Sequence, residues 1–147
     1  GLHIMIRTEL EIDLLERGLS VEDLPNEWNK RYLNLLGVSP ENDTEGCLQD
    51  VHWSEGMFGY FPSYLLGHLI SAQLTKTLEN DLGKIEDVIE SMGISKILDW
   101  LRENVHHYGR SLDSEELVKR VSGSTLSSNH FLEYLDNKLE KLSEISD

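Results

Sequence analysis

The chain has 147 residues, 39% of them hydrophobic and 27% charged, which is enough to bury the core of one soluble domain. Its 13 basic and 27 acidic residues give a formal charge of -14, which argues against nucleic acid and anionic membranes as partners because both select positive surfaces. Cys47 is the only cysteine, so no intramolecular disulfide can form, and we expect a cytoplasmic protein.

Helical spacing of apolar residues dominates the start of the chain. We predict a first helix from Leu2 to Glu16, with Arg7 and Glu11 paired on its surface. The chain starts inside this pattern without an initiator methionine, so we expect a fragment boundary there. A second helix starts near Pro25 and ends at Gly37. Its buried stripe is expected to contain Trp28, Tyr32, Leu35 and Leu36.

Five further helices are predicted after residue 60. They run from Pro62 to about Asn80, over Lys84–Met92, from Ser95 to about His107, from Asp113 or Ser114 to Val121, and from about Ser128 to Ser143. The last helix is expected to bury Phe131, Leu132, Leu135, Leu139 and Leu142. Strand alternation is absent beyond the short stretch 49–53. The prediction is therefore all-α: one compact domain over residues 1–147, made of about six or seven helices and one irregular segment rich in glycine and aromatic residues.

That irregular segment also carries a concentrated set of polar side chains. Gln49, Asp50 and His52 offer an amide, a carboxylate and an imidazole within four positions, and Tyr60 and Tyr64 offer phenols. In an extended conformation Asp50 and His52 would point to the same side. Residue types alone favour a buried polar cluster in which Asp50 orients His52 over a catalytic role, since buried polar groups need partners in either case.

The segment resembles a known enzyme signature. Residues 46–53, GCLQDVHW, fit the GxxQDxHW signature of the M32 family of metallocarboxypeptidases, and FGYFPSYLLG resembles the family's continuation. HIMIRTELE and KRVSGSTLSSNHFLEYL are also similar to the C-terminal part of that family. The resemblance covers nearly the whole chain but about the last third of a family member. Glu55 and Met57 depart from the pattern, because the family usually has small residues there.

The resemblance implies a metal site that this sequence does not supply. Family members bind zinc through an HExxH helix and a downstream glutamate, and both lie upstream of the matched region. None of the six histidines here is followed by glutamate, so no HExxH is present. The family's I/VRxxAD motif would fall just before Gly1. We therefore expect no metal ligands and no cofactor in this chain, with zinc or another divalent metal in the complete enzyme.

By this resemblance, the chain would form the C-terminal part of the substrate-site wall in an enzyme that removes C-terminal residues from peptides. Tyr60 is the first candidate for hydrogen-bond donor to the developing oxyanion, and His52 is the next. Asp50 would orient His52, and Gln49 and Trp53 would contact substrate or support the site from behind. Purely structural roles stay open for all of them and are favoured for Asp50 and Gln49.

We expect the chain alone to be inactive, with an upstream catalytic segment or a second copy as its protein partner. The alternative is a non-enzymatic helical module for interaction or dimerisation, which would use the amphipathic first helix. An independent hydrolase built on Asp50, His52 and a distant nucleophile is disfavoured, because no GxSxG elbow occurs and Cys47 lacks a diagnostic context. His68 is expected to be a helix-contact residue, and the adjacent His106 and His107 are poorly placed to grip one ion.

Overall fold

A computed structural model of the protein describes residues 1–145, with side chains described as far as residue 143. Within that range it has eight α-helices and no strand, so the all-α prediction is confirmed. The helices are α1 (Leu2–Glu16), α2 (Leu24–Leu36), α3 (Val51–Ser54), α4 (Phe61–Leu82), α5 (Ile85–Met92), α6 (Ile94–Asn104), α7 (Ser114–Ser122) and α8 (Asn129–Ile145). Short 3₁₀ turns lie at Cys47–Gln49 and His106–Tyr108. None of the helices in residues 1–145 has both the length and the apolar character that crossing a bilayer requires.

Local sequence signals set several helix ends. Gly37 has φ 69 and ends α2, a left-handed conformation that glycine reaches without a Cβ clash. At the start of α7, Asp113 accepts the backbone N–H of Glu116 at 2.8 Å, and the Glu116 carboxylate accepts the backbone N–H of Asp113 at 3.2 Å. This capping box explains why α7 starts where the acidic run predicts it.

The chain divides into two compact units, Gly1–Gly67 and His68–Asp147, while the single-domain organisation stays a prediction. In the first unit α1 packs on α2. The buried core of this unit contains Ile6, Leu10, Trp28 and Cys47, with Leu19, Leu24, Tyr32 and Trp53 packed against it. Full burial of a side chain as large as leucine or isoleucine contributes about 1.5–3 kcal/mol, so each of Ile6 and Leu10 stabilises the first unit by about that much.

In the second unit a buried amide organises the loop between α7 and α8. Gln73 of α4 is 1% exposed. Its Nε2 lies 2.7 Å from Ser122 Oγ and 3.1 Å from Ser124 Oγ. The same nitrogen donates to the Thr125 carbonyl at 3.2 Å, and Gln73 Oε1 accepts the Ser127 N–H at 3.0 Å. Because buried polar groups need partners, this one side chain fixes the path of the loop.

Several details of the helix predictions are wrong. Helix α6 begins at Ile94 rather than Ser95 and ends at Asn104 rather than near His107. The larger error concerns burial: Leu35 and Leu36 of α2 are exposed, and so are four residues predicted as buried on α8, namely Leu132, Leu135, Leu139 and Leu142. Helical spacing identifies an apolar face, but it does not show whether another element covers that face.

Candidate functional site

Asp50 lies between the 3₁₀ turn Cys47–Gln49 and helix α3, and it caps that helix. Its Oδ1 accepts the backbone N–H of His52 at 2.9 Å. An aspartate at this position satisfies a helix-end N–H that has no partner within the helix. The extended conformation considered for residues 50–52 does not occur, since a helix begins at Val51. The cap, rather than strand alternation, brings the Asp50 and His52 side chains together.

Arg7 of α1 binds the other oxygen of the same carboxylate. Its Nε donates to Asp50 Oδ2 at 2.5 Å, and the two side chains are only 16% and 6% exposed. Arg7 also donates to the His3 carbonyl at 3.0 Å. Its guanidinium carbon lies 5.0 Å from the ring centroid of Trp28, within the range of a cation–π contact. The His3 carbonyl and the Trp28 ring therefore fix the position of the Arg7 guanidinium, which in turn binds Asp50.

These contacts keep Asp50 ionised. Burial raises the pKa of its carboxyl group, but hydrogen bonds from the backbone and imidazole of His52 and from the Arg7 guanidinium outweigh burial, so the pKa lies below its ordinary value. At neutral pH the Arg7–Asp50 contact is consequently a pair of opposite charges, and Asp50 acts only as a hydrogen-bond acceptor.

We expect Asp50 to make the protein less stable in acid. An aspartate whose folded pKa lies below the unfolded value of about 3.9 binds fewer protons in the folded state. Its stabilising contribution is full above the unfolded pKa and is lost as the pH falls through the lower folded pKa, so the melting temperature should fall between about pH 5 and pH 2. Asp13 adds to this slope with the same sign, because its hydrogen bond to Arg31 lowers its pKa. The measurement is thermal unfolding at several pH values for the unmodified chain and Asp50→Asn, and equal slopes would contradict the prediction.

The imidazole of His52 is held at both nitrogens. Nδ1 lies 2.6 Å from Asp50 Oδ1, and Nε2 lies 3.0 Å from the Tyr64 hydroxyl oxygen. Because ionised Asp50 only accepts, Nδ1 carries a proton, and in the neutral ring Nε2 accepts the hydroxyl proton of Tyr64. The ring packs against Phe61 and Tyr60, with centroid distances of 4.9 Å and 5.7 Å. Neighbours therefore fix both the tautomer and the orientation of His52.

Tyr60 lies at the end of the tight loop that joins α3 to α4, and its side chain is exposed. The preceding residue, Gly59, donates its N–H to Glu11 Oε1 at 2.8 Å, and the Ser63 hydroxyl donates to the Tyr60 carbonyl at 2.6 Å. The backbone of Tyr60 is thus fixed on both sides.

Glu11 is buried at 4% exposure, so the predicted surface pair between Arg7 and Glu11 is wrong. Each of these charged groups reaches the signature segment (residues 46–64) instead.

The structure places Gln49 and Trp53 away from the polar contacts of His52. Gln49 is exposed and lines a shallow depression together with Trp28 and Tyr32. Trp53 packs edge-on against Trp28 and Phe61, with centroid distances of 6.1 Å and 5.9 Å. Its indole Nε1 is buried and has no hydrogen-bond partner among residues 1–145. The other three predicted site residues are the ones that the fold brings together.

Two residues of this cluster were not among the predicted site residues. Tyr64 follows Tyr60 by four positions, the spacing of neighbours on one helix face, so the sequence did contain a signal for it. The ring centroids of these two tyrosines lie 5.2 Å apart, in an edge-to-face arrangement. Arg7 is 43 positions away from Asp50, and no local pattern indicates that contact.

Two other histidines, His68 and His107, make aromatic contacts. His68 stacks on Phe131 with a centroid distance of 5.8 Å, in agreement with its prediction as a helix-contact residue. His107 packs on Tyr108 within the second 3₁₀ turn.

Cys47 is buried, and burial raises the pKa of its thiol. Within the described residues no three histidine, cysteine, aspartate or glutamate side chains could hold a metal ion together, so the residues present do not fit a metal site.

Comparison with known proteins gives consistent results. A sequence model of the carboxypeptidase Taq (M32) metallopeptidase family matches residues 1–139. The chain is 42% identical over 141 residues to carboxypeptidase 1 of Bacillus subtilis (strain 168), covering 96% of this chain. It is 43% identical over 142 residues to thermostable carboxypeptidase 1 of Thermus thermophilus, covering 97% of this chain. In both cases the chain spans 28% of the relative's own length.

Solved structures show the same relationship in three dimensions. The M32 carboxypeptidase from Deinococcus radiodurans R1 superposes with a TM-score of 0.89 at 37% identity, over 96% of this chain and 29% of that one. Metallocarboxypeptidase 1 of Trypanosoma cruzi superposes with a TM-score of 0.86 at 41% identity, over 92% of this chain and 28% of that one. Both the sequence and the fold are thus similar to one part of these larger enzymes.

Proposed function

Because this chain belongs to the carboxypeptidase Taq (M32) metallopeptidase family, we propose that it forms the C-terminal, substrate-site-wall part of a metal-dependent enzyme that releases C-terminal amino acids from peptides. The observation that carries the proposal is the continuous set of contacts from Arg7 through Asp50 and His52 to Tyr64, with the exposed Tyr60 ring beside it. In this arrangement the exposed Tyr60 phenol lies beside an imidazole whose orientation is fixed.

In this proposal Tyr60 donates a hydrogen bond to the oxygen that gains negative charge when the peptide carbonyl is attacked. Its ring is exposed and its backbone is fixed on both sides, so the phenol is accessible and oriented. His52 is the second candidate donor, and it could donate only with both ring nitrogens protonated, because in the neutral ring Nδ1–H is bound to Asp50 and Nε2 accepts from Tyr64. Gln49 and Trp53 shape the wall from its edge and its interior.

Metal chemistry is assigned to the rest of the longer enzyme. A divalent ion supplies a Lewis acid and an activated water for hydrolysis. The described residues of this chain do not fit such a site, so their part is to bind and orient the peptide. We also place the protein in the cytoplasm, because a lone buried cysteine suits a reducing compartment.

A domain exchange tests the proposal. The corresponding segment of B. subtilis carboxypeptidase 1, 42% identical to this chain over 141 residues, would be replaced by this chain to give a chimera. We expect the chimera to release C-terminal amino acids from a blocked dipeptide, and a chelator should abolish the release. The chain alone should be inactive with added zinc or cobalt. A folded but inactive chimera, or chelator-sensitive release by the chain alone, would contradict the proposal.

The alternative is a helical module for interaction or dimerisation, and one observation favours it. Leu2 and Met5 of α1 are 45% and 43% exposed, and they lie three positions apart on the helix. Apolar groups on a helix face promote self-association. Analytical ultracentrifugation distinguishes the two functions: a concentration-dependent dimer that a Leu2→Glu, Met5→Glu variant abolishes would support the alternative, and a monomer at high concentration would oppose it.

A further inference from the structure

We propose that helix α1 carries two positioning residues, Arg7 and Glu11, which lie one helical turn apart. Arg7 orients His52 through the carboxylate that both side chains bind. Glu11 orients Tyr60 through the backbone N–H of the preceding glycine. The effect on turnover rests on the proposed function, whereas the two geometric effects can be measured in this chain by itself.

Arg7 and His52 bind different oxygens of the same Asp50 carboxylate. Oδ1 accepts the backbone N–H of His52 at 2.9 Å and lies 2.6 Å from its Nδ1. Among the residues that the structure describes, Oδ2 binds only Arg7, at 2.5 Å. With both oxygens bound, rotation of the carboxylate about its Cβ–Cγ bond is restrained, because it would break these hydrogen bonds. The guanidinium itself is fixed by the rings of Trp28 and Phe61, 5.0 Å and 6.0 Å away. Arg7 thereby keeps Oδ1 in place to receive the Nδ1 proton.

Glu11 has a buried carboxylate that contacts the backbone directly before Tyr60. Glu11 is 4% exposed, and burial of a carboxylate is unfavourable unless donors compensate it. The Gly59 N–H donates to it at 2.8 Å. Gly59 has φ +75, a left-handed conformation that sets the direction in which the chain enters Tyr60. A bond at this glycine therefore determines where the Tyr60 side chain projects.

A matched control separates positioning from general stabilisation. Arg31 of α2 is also largely buried, at 20% exposure, and it pairs with Asp13 on the same helix α1. Its other ion pairs are with Glu9 and Glu27, so all of them lie on α1 and α2. Replacing Arg31 removes a comparable ion pair of α1 without touching the signature segment.

The test uses the full 147-residue chain, labelled with nitrogen-15. Long-range proton–nitrogen correlations identify which ring nitrogen of His52 is protonated, and amide exchange reports the Gly59 N–H. Arg7→Met should convert the single Nδ1–H tautomer into a mixture, and Arg7→Lys should restore it in part. Glu11→Met should speed Gly59 exchange at least tenfold, whereas Glu11→Gln, which keeps a carbonyl acceptor, should not. Arg31→Met should change neither signal.

The same variants in the chimera connect geometry to turnover. We expect Arg7→Met and Glu11→Met to lower kcat about tenfold or more with little change in KM, because a misplaced donor weakens transition-state binding most. Arg31→Met should leave kcat unchanged, and Glu11→Gln should retain most activity. If Arg7→Met and Arg31→Met behave alike in every readout, the positioning role is overturned. An inactive parent chimera would instead contradict the proposed function, and the tautomer and exchange data would then decide the inference.

Discussion

Replacing Tyr60 by phenylalanine in the chimera is expected to lower kcat by about 100-fold to 1,000-fold, the usual effect of removing one donor to a developing oxyanion. The substitution deletes a single oxygen from an exposed ring whose contacts with His52 and Tyr64 are aromatic, so folding should be unaffected. KM should change little, because the bond strengthens as charge develops on the carbonyl oxygen. Steady-state kinetics on the blocked dipeptide measure both constants.

A second tyrosine serves as the control for this substitution. Tyr134 of α8 is 50% exposed, close to the 46% of Tyr60, and lies in the second unit. Tyr134→Phe should leave kcat within a factor of two. If Tyr60→Phe also stays within that range, Tyr60 is not the donor, and His52 takes first place. A His52→Gln variant would then be compared in the same assay.

Asp50→Ala is expected to lower the free energy of unfolding by about 3 kcal/mol, the low end of the range for breaking one side of a buried ion pair. Two effects contribute. Arg7 would remain largely buried at 16% exposure without its carboxylate, and α3 would lose its N-cap, which alone is worth about 1 kcal/mol. Urea unfolding monitored by tryptophan fluorescence provides the measurement, since Trp28 and Trp53 lie in the same unit.

Two controls identify the source of that loss. Asp50→Asn keeps an oxygen that can cap α3 but removes the charge, so it should cost less than Asp50→Ala. Glu55→Ala changes an exposed residue at the end of α3 and should shift stability by no more than about 0.5 kcal/mol. An Asp50→Ala loss as small as that of Glu55→Ala would show that the Arg7 contact contributes nothing to folding.

The local features of this fold could be predicted from sequence because they depend on neighbouring residues. Gly37 ends α2, Asp113 starts α7, and the apolar period of residues 2–16 matches α1. The sequence also predicts that Asp50 orients His52, although the extended geometry that would align the two side chains does not occur. The cap found instead is itself a local signal, since aspartate is a favoured residue directly before the first residue of a helix.

The failures concern contacts between distant parts of the chain. Arg7 and Glu11 stand at the spacing of a surface ion pair, and on an isolated helix they would form one. In the folded chain Arg7 binds the buried Asp50 carboxylate instead, and Glu11 binds the Gly59 N–H. Both contacts are less exposed to water than a surface ion pair, and a charged hydrogen bond is stronger there. The burial predicted for the α8 leucines fails for a related reason. Periodicity identifies an apolar helix face, but it does not show which other element, if any, packs on that face.

The amide of Gln73 anchors the first turns of helix α8, and its hydrogen bonds do not reach the later turns. Near its start, the loop is tied to α4 through the Ser127 N–H, and Lys76 bonds Glu133 at 2.9 Å. Further along, Leu139 and Leu142 are exposed, so opening of the turns around them loses little buried area. Opening at the start requires the hydrogen bonds of one side chain to break together. Helix α8 should therefore open more readily around residues 139–142 than at its first turns, which are released only when the anchoring loop opens.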